Sequence, residues 1–138
     1  MSDVTTKIEE LIQTNLRKRV YVALSHPVVP EEEIIPFLPE HLAYMSAHEN
    51  QIFLSGPFLK EGRLVDEGLT ILHTDREEEA IAFMRNEPLV KRGLRTFALK
   101  RWEIREGSLT IRLIAGRSEF SLDPIPSDEL ASSVSRSA

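Results

Sequence analysis

The apolar positions change period several times along the chain, and each change marks an element. Ile8, Leu11, Ile12 and Leu16 recur at helical spacing, so residues 5–17 are expected to form an amphipathic helix, with Arg17, Lys18 and Arg19 at its C-terminal end. "RVYVALS" at 19–25 is β-branched and aromatic and reads as a strand closed by His26-Pro27. Three prolines in "VVPEEEIIPFLPEHLAYMSAHEN" forbid one continuous helix, and the simplest solution puts Pro39 in the first turn of a helix running to about Glu49. "QIFLSGPFL", 51–59, reads as a second strand broken at Ser55-Gly56-Pro57, followed by a turn-rich connection, "KEGRLVDEG", that could hold a small hairpin. "LTILHT", 69–74, is a third strand, apolar on both faces.

Asp75 is placed to cap a second core helix, with Glu78 three residues on as in a capping box, and Ala80, Ile81 and Met84 form its inner stripe beside Phe83. Pro88 ends that helix, because the residue before a proline is pushed out of the helical region. "LRTFALKRWEI", 94–104, is a fourth strand, and after Glu106-Gly107 "SLTIRLIAG", 108–116, returns as a fifth. The Pro-, Ser- and Ala-rich stretch from 123 to 138 is expected to be largely disordered.

The order β-α-β-β-α-β plus a terminal strand predicts an α+β chain of ferredoxin-like, split βαβ type, with an antiparallel sheet covered by helices on one face. An apolar second face would call for a second subunit, so self-association as a homodimer or larger is expected. The division expected is a helical arm over 1–18, one domain over 19–122 and a tail over 123–138.

Composition narrows the function classes. There are 22 acidic against 17 basic residues, a net charge of −5, which disfavours a nucleic-acid partner. The absence of cysteine rules out disulfides, thiolate catalysis and thiolate-metal sites. No apolar run approaches the roughly 20 residues of a membrane span, and "MSDVTTKIEELIQTN" has no apolar signal core. A cytoplasmic protein without a membrane partner is the expectation.

The candidate chemistry clusters on the first core helix. Leu38, Leu42 and Met45 share one face, and His41, Tyr44 and His48 form the stripe beside it, at the border of the core. A histidine there titrates near neutrality and can accept and return a proton. Tyr44 could donate to a ligand or bury its ring and wet its hydroxyl, and His48 suits a solvated helix C-terminus. His41 and His48 lie two turns, about 10 Å, apart, so a shared metal is not expected, and with no G-x-G-x-x-G and no Walker pattern no other cofactor is expected either. His26 and His73 stand at strand ends that border clefts, and Trp102 is expected to pack on the sheet or a dimer face.

"HLAYM" at 41–45, "LSGPF" at 54–58, "EEEAIAFMRNEPLVKRGL" at 77–94 and "RWEI" at 101–104 together resemble the YciI-like family, over about residues 19–105. The resemblance implies a dimeric α+β barrel of ferredoxin-like domains. It also implies a catalytic pair, a histidine opening the first core helix and an aspartate before a proline after the second. His41 matches the histidine; the aspartate position is Glu87, one methylene longer. Ser55 and Gly56 match a small-residue stretch lining the same cleft. The relatives include a dehydrochlorinase acting on a chlorinated hydroxyquinol, and a muconolactone isomerase belongs to a neighbouring family. The function implied is therefore cofactor-independent proton transfer on a small oxygenated cyclic compound, by a lyase or isomerase. His41 and Glu87 would be catalytic, and Ser55, Gly56, Tyr44 and His26 would contact substrate. A non-catalytic ligand-binding module and a structural oligomerisation module on the same fold stay open as alternatives.

Overall fold

The computed structural model describes residues 3–123; the tail expected beyond them lies outside that range. The chain divides after Arg105 into two compact units. The first holds α1 (Asp3–Ile12), β1 (Lys18–Pro27), α2 (Glu31–Ile34), α3 (Leu38–Ala47), β2 (Ile52–Pro57), β3 (Gly68–Leu72), α4 (Glu77–Asn86), α5 (Pro88–Lys91) and β4 (Arg95–Ile104). Its sheet has the order β2-β3-β1-β4, and every neighbouring pair is antiparallel. This is the expected ferredoxin-like arrangement: β1 and β2 run the same way with β3 inserted between them.

Alternation along the strands sorts the residues between the two faces. Ala23 pairs with Leu99, Tyr21 with Leu72, and Ser25 with Phe97 and Gly68, all on the side that meets the helices. There Ala23, Leu72, Ala80, Phe83 and Met84 form the main core, joined by Tyr44 and Met45 from α3. A second cluster of Ile34, Val65 and Leu89, with Leu38 and Leu94 against it, fills the end of the sheet below α2 and α5.

Several details depart from expectation. α1 stops at Ile12 rather than running to 17, and Arg17 takes a left-handed φ of 52°. Val4, Ile8 and Leu11 of α1 are exposed and Ile12 is half-buried, and the following residues are tied down by an Asn15 Nδ2 bond to the Arg105 carbonyl. β2 runs through Ser55-Gly56-Pro57 to Pro57 without breaking; it is an edge strand, where a proline costs no internal ladder bond. The 58–67 connection contains no hairpin of its own. It is closed by the Phe58 N–H donating to the Glu67 carbonyl, and the Leu64 and Val65 N–H groups both donate to Glu31 Oε2. Asp75 does not cap α4, which begins at Glu77 with Arg76 at the N-cap. Its carboxylate instead receives both Nε and Nη2 of Arg101, at 2.6 and 2.8 Å, a charged fork stronger than a neutral cap bond. Thr74 Oγ1 accepts from the N–H of Arg76, the residue just before the helix.

α5 is absent from the periodicity reading, yet it is capped at both ends. Glu87 stands at its N-cap and Pro88 at its first position. At the other end Gly93, at φ 75°, donates to the Val90 carbonyl, and Leu94 donates to the Leu89 carbonyl. That pair of bonds is a Schellman motif, and its left-handed position is one that glycine occupies without strain.

In the second unit β5 (Thr110–Ile114) pairs antiparallel with β6 (Glu119–Asp123) as a two-stranded sheet. The extra strand after β4 is thus present, but its hydrogen-bonded partner is β6.

Candidate active site

α3 and α5 position the site. Residues 40 and 41 of α3 reach the two ends of α5. Glu40 takes a bidentate contact from Arg92, at 3.0 and 2.7 Å, and that guanidinium also lies 4.1 Å over the Phe37 ring. His41 Nδ1 meets Glu87 Oε1 at 2.7 Å. The longer glutamate therefore reaches the histidine.

Glu87 is 3% exposed, and its carboxylate has two tasks. It caps α5, with Oε1 accepting from the Leu89 N–H and Oε2 from the Val90 N–H, both at 3.1 Å, and Oε1 also takes the histidine contact. A carboxylate can only accept, so Nδ1 of neutral His41 carries the proton and Nε2 holds the lone pair. Nε2 makes no hydrogen bond among the described residues. Burial works to raise the Glu87 pKa, but the His41 hydrogen bond, the Leu89 and Val90 N–H groups and the charge of the ring together outweigh it. The pKa falls below the ordinary glutamate value of 4.5.

The sign of that shift fixes a pH dependence. A carboxyl whose folded pKa lies below its unfolded value stabilises the fold above the unfolded value, and that contribution fades as pH falls through the folded pKa. Thermal midpoints of wild type and Glu87→Gln measured between about pH 7 and 3 should differ most near neutrality and converge below ~4.5. A difference independent of pH would contradict the assignment.

His41 is one wall of a cavity of about 220 Å³ between α3, α5 and the sheet. Ser55 and Gly56 line it too, together with Thr70, Ser25 and Arg95. Ser55 Oγ and Thr70 Oγ1 share a hydrogen bond of 2.8 Å. Glu87 stands behind His41 and holds the ring from the protein side. Of the residues expected to contact substrate, Ser55 and Gly56 thus share the cavity with His41. Tyr44 lies elsewhere: its ring packs on Phe83, its hydroxyl donates to the Phe83 carbonyl at 2.7 Å, and it lines a separate groove with His48. Burial and the charge of Glu87 raise the Tyr44 pKa. His26 faces Glu67 at 3.4 Å. His48 is half-buried rather than solvated; its Nδ1–H donates to the Tyr44 carbonyl and its ring stacks at 4.2 Å on Tyr44. His73 is exposed, edge-on to Phe53.

Arg95 is the residue the sequence reading passed over. It is only 9% exposed, and its guanidinium is fixed by Ser25 and by the Asp66 carbonyl at 2.8 Å. Its signal was its phase: in "RTFAL" the alternation that points Phe97 and Leu99 at the helices points Arg95 there too.

The molecule is thus a ferredoxin-like α+β protein with a carboxylate-oriented histidine in the wall of a small polar-edged cavity. Among solved structures it is similar to the 5-chloro-2-hydroxyhydroquinone dehydrochlorinase TftG of Burkholderia phenoliruptrix AC1100, in complex with 2,5-dihydroxybenzoquinone. The two share 23% identity and a TM-score of 0.51, over 59% of this chain and 92% of TftG, a likeness of fold. No family model matches the sequence, and no curated protein matches it. No helix among the described residues is long and apolar enough to cross a membrane.

Proposed function

We propose that the protein is a YciI-like enzyme of lyase or isomerase type, in which His41 moves a proton on a small oxygenated ring compound. The observation that carries this is the 2.7 Å contact of His41 Nδ1 with a buried carboxylate, in a ring that also walls a cavity. Such a contact holds the ring in one tautomer and stabilises the imidazolium that forms when Nε2 takes a proton. The hydroxyquinone held by TftG, a protein of similar fold, is the ring chemistry on which this reading draws. Loss of HCl from a chlorinated hydroxyhydroquinone, leaving a hydroxyquinone, moves two O–H protons: one is delivered to the chlorine-bearing carbon as the ring takes its keto form, and the other is taken by a base as chloride departs from that carbon with its bonding electrons. His41 provides the base, and hydroxyls such as Ser55 steady the ring oxygens.

The test is chloride release from 5-chloro-2-hydroxyhydroquinone, with a thermal-shift screen of hydroxylated aromatics and lactones beside it. Turnover of the chlorinated compound, or of a screened ligand that raises the midpoint, is expected. A chain that neither turns over nor is stabilised by any member of these classes would refute the reading. Stabilisation without turnover would favour a binding module, a reading supported by the capping task that Glu87 performs regardless of chemistry.

We infer, further, that the protein works as a homodimer in the cytoplasm. The sheet face away from the helices carries Val22, Leu24 and Leu69, half-buried, with Leu54 at 54% and Trp102 at 45% exposed. Sedimentation equilibrium should report a dimer that Trp102→Asp weakens; a monomer across the micromolar range would refute this.

A further inference from the structure

Arg95 opens β4 on the helix-facing side of the sheet, and more than nine-tenths of it is buried. A buried guanidinium ordinarily meets a carboxylate. Here all its hydrogen-bond partners are neutral. Nε and Nη2 donate to Ser25 Oγ at 3.3 and 3.0 Å, and Nη2 also donates to the Ser25 carbonyl at 3.1 Å and the Asp66 carbonyl at 2.8 Å. The carboxylates nearby are engaged elsewhere: Glu87 by His41, Glu67 by His26 and Asp66 by Arg63. Nη1 donates to no described group, although Arg95 lines the cavity. The cavity wall therefore presents a full positive charge, fixed in direction by Ser25 and Asp66, with donors to spare.

The size of the cavity narrows what can answer that charge. Its volume of about 220 Å³ is below the ~300 Å³ at which sites for drug-sized ligands begin, so it suits a single ring. Leu38, Leu42 and Leu89 supply apolar wall for the ring. We infer that the cavity takes a single-ring organic anion and that Arg95 recognises its negative oxygen, as a carboxylate or as an ionised enol or phenol. This rests on the cavity being the substrate site, and it adds a charge requirement and a recognition residue to that reading. Arg95 forms a bidentate or single charged hydrogen bond to the anion through donors the fold leaves unused.

Calorimetry on the full chain with two matched pairs tests it: benzoate against benzamide, and 2,5-dihydroxybenzoquinone against its dimethyl ether. The anion of at least one pair should bind at least ~10-fold more tightly than its neutral partner, as a charged hydrogen bond requires. The pair that responds tells carboxylate from acidic enol. Arg95→Gln should abolish the preference, and Arg95→Lys should keep part of it. An NMR titration of the wild-type chain repeats the test without a variant, since the anion and not its neutral partner should shift the Arg95 side-chain N–H signal. Equal binding within both pairs, no binding of either anion, or a preference that survives Arg95→Gln would overturn the inference. Anion preference without turnover of any substrate would leave this subsite standing and remove the enzyme reading; turnover without charge preference would do the reverse.

Discussion

The His41→Asn protein is expected to release chloride from 5-chloro-2-hydroxyhydroquinone at least ~100-fold more slowly than the wild-type chain, the usual loss when a positioned general base is removed. Asparagine offers a side-chain N–H that can meet Glu87, so α3 and α5 stay joined, but it has no lone pair that takes up a proton near neutrality. The loss should fall on kcat, with KM and the affinity for 2,5-dihydroxybenzoquinone little changed, because the ring is bound by the cavity walls and not by Nε2. Turnover equal to wild type would remove His41 from the reaction.

Glu87→Ala should be the most damaging single substitution for the fold around the site. It leaves the Leu89 and Val90 N–H groups without their cap and takes the partner from Nδ1 of His41. Loss of an N-cap costs ~1 kcal/mol, and a buried donor left unpaired costs ~1–3 kcal/mol. The sum, about 2–4 kcal/mol, should appear as a drop in the urea midpoint at constant m-value. Glu87→Gln keeps, with its amide oxygen in the place of Oε1, an acceptor for two of the three donors and should lose less stability. It removes the charge that steadies the imidazolium, so kcat should still fall. A Glu87→Gln chain with wild-type kcat would reduce Glu87 to a structural cap.

The four strands of the main sheet were legible because their signal is local: β-branched, aromatic and apolar runs such as "RVYVALS" and "LTILHT", bounded by turn residues, need no distant partner to be read. α3 was legible through Pro39, whose first-turn preference needs no partner. His41 and Glu87 stood out through the family resemblance, and their spacing in space depended on how α3 meets α5, which no local period encodes. α5 itself is a single turn, too short to show a helical repeat; its marks were Glu87-Pro88 at one end and Gly93 at the other. The capping role expected of Asp75 failed because Arg101, on β4, competes for the same carboxylate, and only the fold brings the two together. Arg95 was hidden among the cations of "KRGLRTFALKR", although its phase placed it with Phe97 and Leu99. β6 went unread beside the polar tail that follows it.

Glu87 serves the helix cap and the histidine through one carboxylate, and this separates what the two residues reveal about a lineage. A descendant that lost its chemistry would still be selected to keep an acceptor at position 87, because the turn that follows needs it to fold. Position 41 has no comparable anchor in the backbone and would drift. In a set of diverged sequences, then, a retained glutamate testifies to architecture, and a retained histidine testifies to a working reaction.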